Sequence, residues 1–151
     1  YNKKYSTNLH LVLTGANNYF YERIKNEFKE LIDNHALVLT GFVPDSSLGI
    51  LFKNASAYIF PSLYEGFGLP ALQACSAGLP VLSSNTTCLP EILSDAALYF
   101  DPTNSADFLT KLHTILNDAD TRAKLIQNGL KRYQQFSWLK MAEMSLHVYQ
   151  K

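Results

Sequence analysis

The sequence predicts an α/β fold, a doubly wound parallel sheet with helices on both faces. Short apolar runs of strand length alternate along the chain with segments whose apolar residues recur at helical spacing. The runs are apolar nearly throughout, which is typical of strands buried on both faces. Because such sheets bind ligands at the carboxyl ends of their strands, the loops after residues 14, 41, 60 and 83 are the candidate functional segments.

Five strands are predicted from the apolar runs and from the residues that end them. They cover residues 9–14, 36–40, 57–60, 81–83 and 97–100. Gly15 and Gly41 follow the first two, Pro61 stops the third, and the Asp101–Pro102 pair closes the fifth. The length of 151 residues fits one domain.

The helices are predicted from apolar spacing and from capping residues. The first covers residues 19–32, with Asn18 as its N-cap and Asn34 at its end. A short helix runs from residue 45 or 46 to 54, and another starts after Gly68 and stops at Gly78. The remaining predicted helices are a short one opened by Pro90, then 105–116, 119–135 and 137–149.

Composition excludes several classes of protein. Lys+Arg and Asp+Glu are 13 each, so the chain has no basic field with which to hold a nucleic acid. The two cysteines, Cys75 and Cys88, make no metal spacing with the four histidines, so we expect free thiols and no metal. The apolar runs are far shorter than a membrane span and no signal peptide is visible, so a cytoplasmic location is expected.

The loop after the third strand carries the most chemistry. Gly66 and Gly68 flank Phe67 immediately before a predicted helix, and Glu65 is the only carboxylate nearby. Glycines let a backbone approach a ligand closely, and a helix N-terminus offers N–H groups and a positive dipole end to a phosphate. Glu65 could accept hydrogen bonds from sugar hydroxyls. The loop therefore indicates a phosphate or sugar-phosphate site, although many such junctions bind nothing.

The run P-S-L-Y-E-G-F-G-L-P-A-L-Q-A-C-S-A-G-L-P-V-L-S-S at residues 61–84 resembles the signature of glycosyltransferase family 4. Members of this family are retaining, metal-independent enzymes with the GT-B fold, whose donor-binding domain is Rossmann-like. Further landmarks of the family resemble residues 11–15, 39–43, 89–92 and 136–138, so the resemblance spans essentially the whole chain.

The resemblance implies roles for the residues of this loop. The family has a Glu, seven intervening residues and a second Glu, and here Glu65 is followed by Gln73 at the second position. By resemblance Glu65 is the catalytic carboxylate, and the loop and its helix contact the donor sugar and diphosphate. Gln73 would lie under the ribose, where loss of the charge weakens binding by about 1 kcal/mol. It could also be an ordinary helix residue. The loop residues concerned are Gly66, Phe67, Gly68 and Leu69.

Three residues after the first two strands complete the implied site. Gly15, Phe42 and Val43 match the family segments that surround the base and ribose of the donor. For Phe42 a second interpretation, as a core aromatic, is equally supported by the sequence.

The family's donor domain begins with a strand–helix unit that this sequence does not match. That unit carries an Arg and a Lys that neutralise the diphosphate, and Lys3 and Lys4 lie in the wrong context to replace them. We therefore expect residues 1–151 to be a single, incomplete donor-binding domain that is inactive alone. The unmatched strand is central in the family's sheet, so its loss would leave a gap in the sheet, direct pairing of the flanking strands, or a replacement strand from another chain. Pairing with a second copy of the chain is therefore a further expectation.

By resemblance, the parent protein transfers a sugar from GDP-mannose or a UDP-sugar to an acceptor hydroxyl in polysaccharide assembly. Its other partner would be an N-terminal acceptor-binding domain, and it would act in the cytoplasm, peripheral to the inner face of the membrane. An inactive nucleotide-sugar-binding module is the alternative. A dinucleotide-dependent oxidoreductase is disfavoured because the segment after the first strand, residues 13–18, has one glycine instead of G-x-G-x-x-G.

Overall fold

The computed structural model describes residues 1–150 and confirms an α/β fold with parallel sheets. The chain divides into two compact units, one ending at Ile50 and the other starting at Leu51, and α4 (Asp45–Asn54) covers the boundary. The strands form two parallel sheets, β1-β2 in the first unit and β3-β4-β5 in the second. No helix within residues 1–150 combines the length and apolarity needed to cross a bilayer.

The first unit contains two strands and three short helices. In chain order these are α1 (Asn2–Tyr5), β1 (Leu11–Thr14), α2 (Tyr19–Glu27), α3 (Lys29–Asp33) and β2 (Leu37–Gly41). β1 pairs in parallel with β2, with Leu11 opposite Leu37. The sequence did not predict α1, which the Asn2 side chain ties down by bonding both the N–H and the carbonyl of Leu9.

The first long helix differs from the prediction because it breaks at Phe28. Asn18 caps α2 as predicted, accepting the Tyr21 N–H at 3.1 Å. Phe28 then leaves the helical conformation, and its carbonyl starts α3 by accepting the N–H groups of Leu31 and Ile32. Apolar spacing continues through Phe28, so the pattern could not show a break of one residue.

The expectation that the strands are buried on both faces is wrong for the first unit. Leu11 is 46% exposed and its neighbour Val12 is 44% exposed. Successive side chains of a strand point to opposite faces, so both faces of β1 are open to solvent. Leu37 is the buried apolar side chain of this unit.

The second unit contains a three-stranded sheet covered by helices, and its elements match the predicted ones to within two residues, apart from an unpredicted 3₁₀ helix at Ser94–Ala96. The strands are β3 (Tyr58–Phe60), β4 (Val81–Ser84) and β5 (Ala97–Phe100), and the helices are α5 (Leu69–Ser76), α6 (Leu89–Leu93), α7 (Ser105–Asn117), α8 (Ala119–Tyr133) and α9 (Trp138–Tyr149). All four residues of the central strand β4 are buried, as a strand paired on both edges should be.

Capping residues set the ends of the helices in the second unit. Asp118 accepts the Thr121 N–H at the start of α8, and this bond holds the pKa of the carboxyl below its usual value. Ser137 caps α9 through the Lys140 N–H. Gly78 ends the α5 segment at φ +70°, in the left-handed region predicted for it.

A close approach between α5 and α8 shapes the core of this unit. A Cβ at Gly129 would lie 3.3 Å from the Cys75 sulfur, so the missing side chain lets the two helices pack tightly. Burial in this contact raises the pKa of the Cys75 thiol to about 11. Both cysteines are free thiols, as predicted.

Candidate functional site

The loop between β3 and α5 is held by residues at the carboxyl end of the neighbouring strand β4 and directly after it. The Ser62 carbonyl accepts hydrogen bonds from the hydroxyls of Ser84, at 2.5 Å, and Thr86, at 3.0 Å. Since β3 and β4 are parallel, their carboxyl ends meet at one edge of the sheet and these groups can reach each other. The start of the loop is therefore fixed to the sheet.

The main chain of Glu65 is held on both sides by the segment that leads into α6. Its N–H donates to the Thr87 hydroxyl at 3.2 Å, and its carbonyl accepts from the Cys88 thiol at 3.2 Å. Thr87 has φ +49°, which is unusual for a β-branched residue. The Glu65 side chain is half-buried, and its charge adds to the effect of burial in raising the pKa of Tyr58.

The two glycines of the loop, Gly66 and Gly68, differ in the space that a side chain would find. Gly68 is buried at φ +91°, and a Cβ there would lie 2.7 Å from Leu89 Cδ2. Glycine is therefore required at position 68 by the fold. Gly66 has open space where a Cβ would stand, so the fold gives no steric reason for glycine there. The open space would let a ligand approach the backbone at this position.

The unpaired backbone N–H groups lie in the loop before α5, whereas the sequence indicated those of the first turn of the helix. The N–H groups of Ala71 and Leu72, in the first turn of α5, already donate to the Gly68 carbonyl, and Pro70 has no N–H. Within residues 1–150, no hydrogen bond is donated by the amides of four successive residues. These are Gly66, Phe67, Gly68 and Leu69. A run of unpaired N–H groups before a helix N-terminus is suited to an anion.

The other predicted residues of the second unit lie around this run. Leu69 is exposed at the first position of α5, and Gln73 presents an exposed side chain one turn later. Phe67 is 38% exposed and packs edge-to-face on Phe136, with 5.4 Å between ring centroids. The structure thus brings Glu65 and the loop residues together, with Gln73 on the adjoining helix.

The predicted base-side residues lie at the ends of β1 and β2, in the first unit. The Gly15 N–H donates to the Gly41 carbonyl at 3.0 Å, which joins the ends of the two strands. Phe42 follows directly and is 76% exposed, so its alternative interpretation as a core aromatic is wrong. Val43 is half-buried beside it in the chain.

Sequence reasoning missed the residues that hold the loop. It pointed to the segment after residue 83 but assigned no role to Ser84, Thr86, Thr87 or Cys88. The available signal was the polar run Ser84–Thr87 directly after a buried strand, since polar residues at a strand's carboxyl end are placed to bond a neighbouring loop.

The histidines take part in local contacts. His10 Nδ1 lies 2.7 Å from the His35 carbonyl oxygen, which ties β1 to the start of β2. Over the part of the chain that the structure describes, no three His, Cys, Asp or Glu side chains cluster closely enough to hold a metal ion.

Comparisons with known proteins agree with this fold. The family model described as glycosyl transferases group 1 matches residues 2–132. The O-antigen chain mannosyltransferase B of Escherichia coli is 39% identical over 109 residues, which cover 72% of this chain and 29% of that protein. The MMP alpha-(1->4)-mannosyltransferase of Mycolicibacterium hassiacum is 32% identical over 71% of this chain and 27% of its own length.

Comparisons with solved structures indicate the same fold. Sucrose-phosphate synthase from Thermosynechococcus elongatus superposes with a TM-score of 0.78 at 25% identity, over 93% of this chain and 38% of that one. The C-terminal domain of a group 1 glycosyl transferase from Francisella tularensis gives 0.71 at 26% identity, over 89% of this chain and 72% of its own. The chain, which spans under a third of the two mannosyltransferases, belongs to the group 1 glycosyl transferase family.

Proposed function

We propose that this chain binds the donor of a retaining glycosyltransferase that moves a sugar from a nucleotide diphosphate sugar to an acceptor hydroxyl in polysaccharide assembly. GDP-mannose is the first candidate donor and a UDP-sugar the second, because the relatives reported above include mannosyltransferases. The observation that carries the proposal is the run of unpaired amides from Gly66 to Leu69, held next to Glu65.

The diphosphate would accept hydrogen bonds from these amides, with the positive end of the α5 dipole behind them. Such fixed donors stabilise the charge that develops on the leaving diphosphate, and they do so without a metal ion. The Glu65 carboxylate would accept from hydroxyls of the donor sugar, because its main chain is fixed by Thr87 and Cys88. Gln73, exposed on α5, would accept a ribose hydroxyl through its amide oxygen.

The nucleoside would contact the segments after β1 and β2. Phe42 is largely exposed, so its ring is available to pack on a base. The open space at Gly15 would let a ribose or phosphate approach the backbone. Val43 would supply further apolar contact.

The whole protein's activity is part of the same proposal. The exposed apolar side chains on both faces of β1 are a surface suited to a further strand–helix unit, which by family resemblance would add the cations of the donor site. An acceptor-binding domain would supply the remaining site, and the protein would act in the cytoplasm at the inner face of the membrane. We expect residues 1–151 alone to bind donor without turnover. Pairing with a second copy through β1 would appear as a dimer in analytical ultracentrifugation.

Titration of the chain with GDP, UDP, ADP and their sugars, followed by amide NMR shifts, tests the proposal. We expect shifts at residues 66–69 and a preference for one base. Glu65→Gln should weaken binding of the sugar nucleotide about ten-fold, since a bond to a charged group contributes about 1.5–3 kcal/mol, and should leave binding of the nucleotide itself unchanged. Glu143→Gln, an exposed change on α9, is the matched control. No shift at millimolar ligand would contradict the proposal.

An inactive binding module is the second candidate, and Gln73 is the observation that favours it. The family's second Glu is absent, although the helix position itself is retained. Gln73→Glu restores the charge and should strengthen nucleotide binding about three- to ten-fold if the ribose contacts this position. An unchanged affinity would show that the position no longer contacts ribose.

A further inference from the structure

The Phe67 side chain, in the middle of the candidate loop, packs in an aromatic pair with Phe136. Its ring meets Phe136 at 84°, with centroids 5.4 Å apart, which is the edge-to-face geometry that aromatic pairs prefer. Phe136 lies in the short connection between α8 and α9, beyond the residues that the family model matches. The loop is therefore contacted by a residue that lies outside the matched range 2–132.

Arg132, in the last turn of α8, fixes the position of Phe136. Its guanidinium donates to the carbonyls of Ile92 at 2.7 Å and Glu91 at 2.6 Å, and to Gln135 Oε1 at 2.6 Å. The same group lies over the Phe136 ring, with 5.1 Å from its carbon to the centroid. Carbonyls in the last turn of a helix lack hydrogen-bond donors within the helix, and Arg132 supplies donors to two of them at the end of α6. Its guanidinium also holds the Phe136 ring by a cation–π contact.

These contacts hold the loop at a second point, two residues after the hydrogen-bonded main chain of Glu65. Thr87 and Cys88 fix the main chain of Glu65, and Phe136 fixes the side chain of Phe67. Gly66 lies between the main chain of Glu65 and the side chain of Phe67, with open space where a Cβ would stand. A glycine held only on one side would sample many orientations, whereas restraint on both sides limits the direction of the successive N–H groups.

We propose that Arg132 and Phe136 are positioning residues that orient the backbone donors of residues 66–69 through the ring of Phe67. The inference rests on the proposed donor site, because its consequence for affinity requires that these amides bind the diphosphate. The Phe67 ring touches Phe136 directly, and Arg132 acts through Phe136.

Matched pairs of variants test the proposal. Phe136→Leu removes the ring that touches the loop, and Phe108→Leu removes a ring from an equivalent pair, Phe100 and Phe108, with centroids 5.0 Å apart. Arg132→Lys is paired with Arg122→Lys, since Arg122 also donates to two carbonyls, those of Ile115 and Ser56, without lying over Phe136. Phe136→Tyr keeps the ring and should restore the wild-type behaviour.

Three measurements are made on each variant: thermal midpoint, hydrogen exchange of the amides at residues 66–69 without ligand, and affinity for GDP and UDP. We expect similar losses of thermal midpoint in both members of a pair. Only Phe136→Leu and Arg132→Lys should speed exchange at 66–69 and weaken nucleotide binding about two- to ten-fold, the range an aromatic pair contributes.

The outcomes separate this inference from the proposed function. If Phe136→Leu behaves like Phe108→Leu in exchange at 66–69, the positioning role is refuted whatever the affinity. If the wild-type chain binds neither nucleotide, the donor site fails, while the exchange data still decide whether the ring orders the loop. Faster exchange with an unchanged affinity would refute the link between the ring and ligand binding.

Discussion

The two units of the chain have the same alternation of strand and helix but very different cores. In the unit that starts at Leu51, the central strand β4 is buried along its whole length, and Leu82 has no exposed surface. In the unit of residues 1–50, neighbouring side chains on opposite faces of β1 are both nearly half exposed. Apolar sequence makes a segment a strand in both units, but burial requires covering helices and strands.

The two units therefore differ in how firmly they hold their candidate binding segments. The β3–α5 loop rests on a packed sheet and is held by several side chains. The carboxyl ends of β1 and β2 are joined by the bond from the Gly15 N–H to the Gly41 carbonyl and by an exposed bond of 3.4 Å from the Thr40 hydroxyl to the Leu13 carbonyl. We therefore expect the site in the second unit to be preorganised, and the segments of the first unit to gain order when a ligand or a further part of the protein contacts them.

The largest expected effect contrasts the two sheets directly. Leu82→Ala should lower the free energy of unfolding by about 2–5 kcal/mol, because it opens a cavity in a filled core. Leu11→Ala should change it by less than about 1 kcal/mol, as substitutions at exposed positions do. Urea denaturation followed by circular dichroism measures both. Hydrogen exchange should likewise show β4 amides opening only on global unfolding and β1 amides opening locally.

Equal costs for Leu82→Ala and Leu11→Ala would break the comparison. They would mean that β1 is covered in solution, for example by a second copy of the chain. Repeating the Leu11→Ala measurement over a range of protein concentrations would identify that case, because a dimer's stability depends on concentration.

The next effect contrasts Gly68 and Gly15, two glycines that the sequence analysis assigned to the same candidate site. Gly68→Ala should destabilise the protein by about 1–3 kcal/mol, since alanine is strained at φ +91° and its Cβ meets the buried Leu89. Gly15→Ala should leave stability nearly unchanged, because nothing lies within 4 Å of a Cβ there. Thermal unfolding measures both. A marked loss of stability in Gly15→Ala would show that this loop is more tightly packed than the structure indicates.

Much of the fold could be predicted from the sequence because local signals set it. Apolar runs and capping residues such as Asn18 and Ser137 located the elements to within two residues, apart from α1, the break at Phe28 and the 3₁₀ helix at Ser94–Ala96. Burial could not be predicted in the same way. Leu11 and Leu82 look alike in sequence, and their exposure depends on what packs against each strand.

The site was predictable where glycines and an acidic residue mark it, and less so where side chains hold it. Glu65 and the loop to Leu69 were found from their pattern before a helix. Thr87 and Phe136 hold the loop over 22 and 69 positions of sequence, respectively, and only the folded chain brings them to it. The polar run Ser84–Thr87 is a local signal for the first of these contacts, whereas no local pattern indicates that Phe136 pairs with Phe67.

A smaller effect concerns alkaline pH. Burial raises the pKa of Cys75 to about 11 from an ordinary value of 9.0, so the folded state retains this proton more strongly than the unfolded state. Its stabilising contribution is complete below pH 9 and is lost as the pH rises through about 11. Stability should therefore fall over this window, and less steeply in Cys75→Ala. Thermal midpoints between pH 8 and 11 measure the two slopes, and equal slopes would assign the loss to other groups, such as Tyr99, whose pKa burial raises to about 12.

The smallest effect compares two threonine hydroxyls, one in each unit. Thr87→Val removes the acceptor of the Glu65 N–H and should cost about 0.5–1.5 kcal/mol, whereas Thr87→Ser keeps the hydroxyl and should cost less. Thr40→Val, the matched change in the first unit, removes bonds of 3.1 and 3.4 Å to the carbonyls of Gly41 and Leu13, and should cost less because the Gly41 carbonyl still accepts the Gly15 N–H. Because the Thr87 hydroxyl fixes the residue proposed to hold the donor sugar, Thr87→Val should also weaken binding of the sugar nucleotide more than binding of the nucleotide. Equal weakening of both ligands would place Thr87 in general support of the loop and would remove its link to Glu65.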